Sequence, residues 1–173
     1  VAPSPSALYA VKDASSGKCR GVTVELGQAL AKKLGVPFEF IAHLASGEIQ
    51  NSAASGKWDV TFMPVDDERK KFVDFGNAYH LLQSTFLVAP GSKMQLVKDA
   101  DTAGVGIGGV ANTATFRAAV KSTPKATHIE FSSVELATAA MNEGKIQAIA
   151  LSRESLGGLV AKIPGTRVLP DAF

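Results

Sequence analysis

The chain has 173 residues, 46% hydrophobic and 20% charged, enough apolar content to bury a core as one domain or as two small lobes. A net charge of +2 without a Lys/Arg stripe argues against a nucleic-acid surface, and a single cysteine, Cys19, excludes an intrachain disulfide or a thiolate metal cluster. No apolar run reaches the roughly 18 residues that span a bilayer, and no signal-peptide pattern is read at the start.

In chain order, residues 1–6 are rich in Pro and Ser and read as an extended loop. Residues 21–34 (GVTVELGQALAKKL) place Val22, Leu26, Ala29, Leu30 and Lys33 at helical spacing, with Lys32 and Lys33 outward and Gly35 as the stop. Residues 37–41 read as a strand, 46–55 as a short helix stopped by Gly56, and 58–63 (WDVTFM) as a buried strand. Asp66 or Asp67 would cap a short helix through Val73. Residues 84–92 (STFLVAPGS) form an apolar strand that breaks at Pro90-Gly91. Beyond it come a glycine-rich strand at 104–109, a helix at 112–121, and a strand at 128–131. A helix at 134–142 follows, capped by Ser132 or Ser133 and ended by Gly144. Then come an apolar strand at 145–151, a helix at 153–162, and a short strand at 167–169. Strand and helix alternating at this spacing define an α/β fold with mainly parallel sheets.

Several signals are discounted on context. Gly104-x-Gly106-x-x-Gly109 with Glu130 about twenty residues on fits the dinucleotide fingerprint. Those glycines, however, form the strand instead of following one. His43, His80 and His128 follow no metal-ligand spacing, no Gly-x-Ser-x-Gly elbow occurs, and Cys19 has no evident base partner. No cofactor is expected. Trp58 and Phe75 read as core residues. Taken alone, Arg69 reads as a solvated arginine among Asp66, Asp67, Lys70 and Asp74.

The strings GKWDV at 56–60, DERKKFVDF at 67–75 and AY at 78–79 resemble the signature of the extracellular solute-binding protein family 3, the binding components of polar amino-acid ABC transporters. The resemblance extends over 17–34, 104–116 and 144–148. It implies a two-lobed α/β clamp with a mainly parallel sheet in each lobe: residues 1–88 as an incomplete first lobe, 89–92 as hinge, 93–167 as the second lobe and 168–173 as a second crossing. Members begin with a strand before Val1 and continue past Phe173, so the chain is expected to be truncated. The resemblance implies a periplasmic location, or an extracellular membrane-tethered one. It also implies a small carboxylate-bearing solute held between the lobes, and a membrane permease as partner, with no catalysis.

By position, the resemblance assigns Arg69 to the ligand carboxylate, for which guanidinium offers a planar two-donor fork. It places Asn112 and Thr113 at a strand-to-helix turn whose free N–H groups favour an anion; Asn112 as a plain helix cap is the alternative. Tyr9 falls where members often carry an aromatic that packs on the ligand, with a half-buried loop tyrosine as the alternative. Thr61, Phe62, Met63 and Pro64 stand where many members have serines. Ser152 replaces the aspartate that meets the ligand's ammonium, and a serine cannot neutralise a buried charge. The ligand is therefore an acid without an α-amino group, or its amine meets another acid, with Glu25 and Glu154 as candidates. Two other readings remain open: an extracellular sensor module of a membrane receptor kinase, and a periplasmic dehydratase, which would need a general acid.

Overall fold

The computed structural model describes residues 9–13, 15–43 and 46–173; the opening loop read at 1–6 lies outside them. The chain divides into two compact units, residues 1–76 and 77–173. The crossing strand and the Pro90-Gly91 turn both fall within the second.

The first unit opens with a hairpin, β1 (Val11–Lys12) paired antiparallel to β2 (Cys19–Arg20). Its turn is organised by Asp13, whose Oδ1 accepts from the N–H and hydroxyl of both Ser15 and Ser16 at 2.6–3.0 Å. These donors, the Ser15 hydroxyl foremost, hold the Asp13 carboxyl well below the usual carboxylate range. Helix α1 (Val22–Leu34) follows Gly21 (φ 127°), where a Cβ would come within 2.5 Å of the Tyr9 carbonyl. That carbonyl accepts from Thr23 N–H and Oγ1. Gly35, in the left-handed conformation, ends the helix as expected. The buried positions of α1 are Thr23 and Val24, whereas Leu26 and Leu30 of the anticipated apolar face are exposed along with Leu34. The seat under Tyr9 and the contact of Gly27 with the Phe38 ring set the rotation of the helix.

Helix α2 (Ser46–Asn51) continues into a 3-10 turn (Ala53–Ser55) that stops at left-handed Gly56. The segments anticipated as strands at 37–41 and 58–63 lie outside any ladder: no neighbouring strand among the described residues pairs with them. The anticipated helix through Val73 shrinks to one 3-10 turn, Arg69–Lys71. Trp58 and Phe75 are half-buried, and the Trp58 indole donates to Ser52 Oγ at 2.9 Å.

The second unit is a five-stranded sheet in the order β5-β4-β6-β3-β7. Strands β4 (Gly106–Val110), β5 (Thr127–Phe131) and β6 (Ala148–Ser152) run parallel. β3 (Ser84–Val88) lies antiparallel between β6 and β7 (Arg167–Val168). Helices cover both faces: α3 (Val97–Ala100) and α4 (Ala114–Ser122) on one, α5 (Val134–Asn142) and α6 (Arg153–Val160) on the other. The period-2 alternation of strand side chains divides the core accordingly. Phe86, Val88, Ile107, Ala148 and Ala150 pack with Val97, Phe116 and Ala119; Leu87, Ile149 and Leu151 pack with Ala137, Met141, Leu156 and Leu159. A sheet buried on both faces explains the unbroken apolar run of β6.

The glycines of β4 are packing glycines. A Cβ on Gly108 would come within 2.5 Å of Ile146 and 2.9 Å of Phe131, and one on Gly109 would overlap the Phe116 ring on the opposite face. The fingerprint-like spacing thus records close approach of side chains from both layers.

Candidate functional site

In the first unit, Arg69 is joined to one other expected site residue, Pro64, through the Pro64 carbonyl. The Arg69 side chain is wholly buried. Its Nη1 donates to the Pro64 carbonyl at 2.9 Å, its Nη2 donates to Ser46 Oγ at 3.2 Å, and Nε lies 3.9 Å from Asp66 Oδ2. Asp66 also accepts the Arg69 backbone N–H through Oδ1 at 2.9 Å, so the aspartate anchors both the turn and the cation it carries. A charge so deeply placed is tolerable because it is paired and hydrogen-bonded. The structure therefore replaces the solvated-arginine alternative with a buried, oriented guanidinium. Lys70 and Lys71, by contrast, form exposed pairs with Asp67 and Glu68. Pro64 is exposed and Met63 half-buried; Pro64 enters the arrangement through its carbonyl. Tyr9 is half-buried with its hydroxyl shielded, and its carbonyl is engaged by Thr23.

In the second unit the site residues lie at the carboxyl ends of β4 and β6. β4 and β6 are parallel neighbours, so the turns leaving them emerge at the same end, where α4 and α6 begin. Open α/β sheets take ligands outside the carboxyl ends of their parallel strands. Asn112 occupies the β4–α4 turn with φ 59°, the one left-handed non-glycine among the described residues, and is exposed. It is not the helix cap. Thr113 is: its Oγ1 accepts from Phe116 N–H at 3.2 Å and donates to the Val110 carbonyl at 2.7 Å. A threonine with extended backbone satisfies the first-turn N–H, whereas left-handed Asn112 lies one residue too early.

Ser152 caps α6, accepting from Ser155 N–H at 3.4 Å and donating to Ser155 Oγ at 2.9 Å. In register it faces Ser84, whose hydroxyl lies 3.5 Å from Thr115 Oγ1 in the first turn of α4. Ser84 and Thr115 thus link the two helix starts. Sequence reasoning missed both, along with Ser46 beside Arg69, because a single hydroxyl carries no pattern until folding brings it to its partner.

The two-unit α/β arrangement is that of solved amino-acid-binding proteins. The chain is similar to an ancestral arginine-binding protein bound to glutamine, at 25% identity and a TM-score of 0.81, covering 99% of this chain and 77% of that one. It is also similar to an ancestral amino-acid-binding protein, a precursor of cyclohexadienyl dehydratase, at 27% identity and a TM-score of 0.80, covering 99% and 75%. The glutamine-binding protein of Geobacillus stearothermophilus is 27% identical over 177 residues, covering 96% of this chain. The chain spans 64% of that relative's length. The model of the bacterial extracellular solute-binding proteins, family 3, matches residues 4–155, and the chain belongs to that family.

Proposed function

We propose that this chain captures a small carboxylate-bearing solute, an amino acid or a related organic acid, outside the cytoplasm and hands it to the permease of an ABC transporter. The observation that carries the reading is Arg69: a wholly buried guanidinium, oriented by Pro64 O, Ser46 Oγ and Asp66, in the motif that marks a solute-binding family. Such an oriented planar fork is matched to a carboxylate. In the second unit, Asn112 and the start of α4 offer polar groups and a helix dipole of the sign an anion requires.

Ser152 narrows the ligand. Its hydroxyl is engaged with Ser155 and brings no charge, so an α-ammonium finds no counter-ion at that position. Two of the named relatives are a glutamine-binding protein and an ancestral arginine-binding protein bound to glutamine; this chain favours an acid whose amine is absent or met elsewhere.

Calorimetric titration with L-glutamine, L-arginine, their deaminated acids and simple dicarboxylates tests both parts. At least one acid binds the wild type, and Arg69→Lys weakens it more than tenfold while far-UV circular dichroism stays native. Unchanged affinity in a folded Arg69→Lys protein removes Arg69 from the site. A turnover product in the same incubations would instead favour the dehydratase alternative.

A further inference from the structure

Arg153, next to Ser152 in the first turn of α6, makes more hydrogen bonds than any role in the core requires. Its Nε donates to Gln83 Oε1 at 2.9 Å, and its Nη1 to the Leu169 carbonyl at 2.9 Å. Its Nη2 donates to the carbonyls of Pro170 and Asp171 at 3.0 and 2.9 Å. Four of the five guanidinium N–H groups are thereby used, and the backbone N–H of the same residue donates to Gln83 O at 2.8 Å. Gln83 lies just before β3, where the chain passes into the sheet; Leu169, Pro170 and Asp171 lie just after β7. The same tail is tied down at three further points. Leu169 N–H donates to Phe86 O at 2.9 Å and Phe173 N–H to Ser84 O at 3.0 Å, while the Asp171 carboxylate accepts from Val97 N–H at 2.9 and 3.0 Å. The Phe173 ring rests on Phe86 with centroids 4.7 Å apart.

We infer that Arg153 is a positioning residue, a clasp that holds the entry segment at Gln83 and the final segment 169–171 to the α6 start, so that these segments and the end of β6 carrying Ser152 move as one. Of three consecutive carbonyls beyond the end of a ladder, only Leu169 O has another side-chain donor, Thr85 Oγ1 at 3.4 Å, among the described hydrogen bonds; a planar fork reaches all three while its Nε turns to Gln83. A lysine, a point charge with no fork, reaches one or two. The link from this clasp to ligand capture rests on the function proposed above; the clasp itself does not.

Native-state hydrogen exchange without ligand tests the clasp in the full chain. In Arg153→Lys, the amides of Val97, position 153, Leu169 and Phe173 exchange about tenfold faster or more, while those of Ala111 and Thr127, bonded to Phe131 O and Val105 O, keep their wild-type rates. A uniform acceleration, or none, overturns the inference. Gln83→Ala, which removes one acceptor from outside the helix, gives a smaller acceleration at the same four amides; an unchanged Leu169 amide in that variant also overturns it. With saturating L-glutamine, or whichever acid of the titration panel binds, the wild type slows exchange at position 153 and Leu169 together, and Arg153→Lys slows it at position 153 alone. Equal slowing at both in the variant refutes the coupling. If no acid binds the wild type, the functional reading fails, and the ligand-free pattern still decides the clasp.

Discussion

Gly109→Ala isolates the packing between β4 and α4. Gly109 is fully buried with an ordinary φ, so alanine meets no backbone strain there and the effect is steric. The new methyl would occupy space filled by the Phe116 ring, which is 3% exposed and packed in the cluster with Val88, Ile107, Ala119 and Ala148. β4 is paired on both sides, to β5 and β6, so the strand cannot retreat without breaking a ladder. Overpacking of this kind costs about 1–3 kcal/mol. The restricted unfolded chain returns about 0.4–1 kcal/mol, leaving a net loss of about 1–2 kcal/mol. Phe116→Leu alone creates a void and also destabilises, yet in the Gly109→Ala background it relieves the overlap. The double-mutant cycle therefore gives a favourable coupling of about 1 kcal/mol or more. Urea denaturation followed by far-UV circular dichroism measures it; Trp58, the single tryptophan, lies in the first unit and does not report on this one. Additivity within about 0.5 kcal/mol would refute the proposed contact.

Thr113→Val keeps the side-chain shape and removes the oxygen that accepts from Phe116 N–H, so the second unit loses about 1 kcal/mol in the same assay; no loss would return the capping role to Asn112. For His128, burial lowers the imidazole pKa, against a smaller opposing pull from Asp101. Thr123 Oγ1 gives its hydrogen to Ala119 O, so His128 Nε2 donates to Thr123. A depressed histidine pKa means that the unfolded chain binds the proton first. Its contribution is complete above about pH 6.5 and is lost as pH falls from there through the folded-state value. His128→Gln flattens that part of the stability–pH curve, and an unchanged slope counts against the assignment.

Much of the second unit was legible in the sequence. A cap at Ser132 or Ser133, Gly144 as stop and helix α5 between them follow from local chemistry, because a hydroxyl that accepts a first-turn N–H and a residue free to turn left-handed act over a few residues; the fold settles the cap on Ser133. The motif around Arg69 likewise identified the family. Three features depended on long-range packing. The 37–41 and 58–63 segments have strand composition, but a ladder needs a partner that local pattern does not supply. The face of α1 was misread, since its rotation is fixed by Tyr9 and Phe38 from elsewhere in the chain. Arg69 changed most: its charged neighbours suggested a solvated surface, and only the folded chain brings Ser46, 23 residues upstream, and the Pro64 carbonyl onto its guanidinium. The sequence by itself determined the family and, in the second unit, the alternation of strands and helices, whose start and stop signals act within a turn or two. Tertiary structure decided which side chains were buried, which hydroxyls met at the ends of the strands, and that Arg153 reaches Gln83, 70 residues before it, because burial and hydrogen-bond pairing depend on neighbours that only chain closure provides.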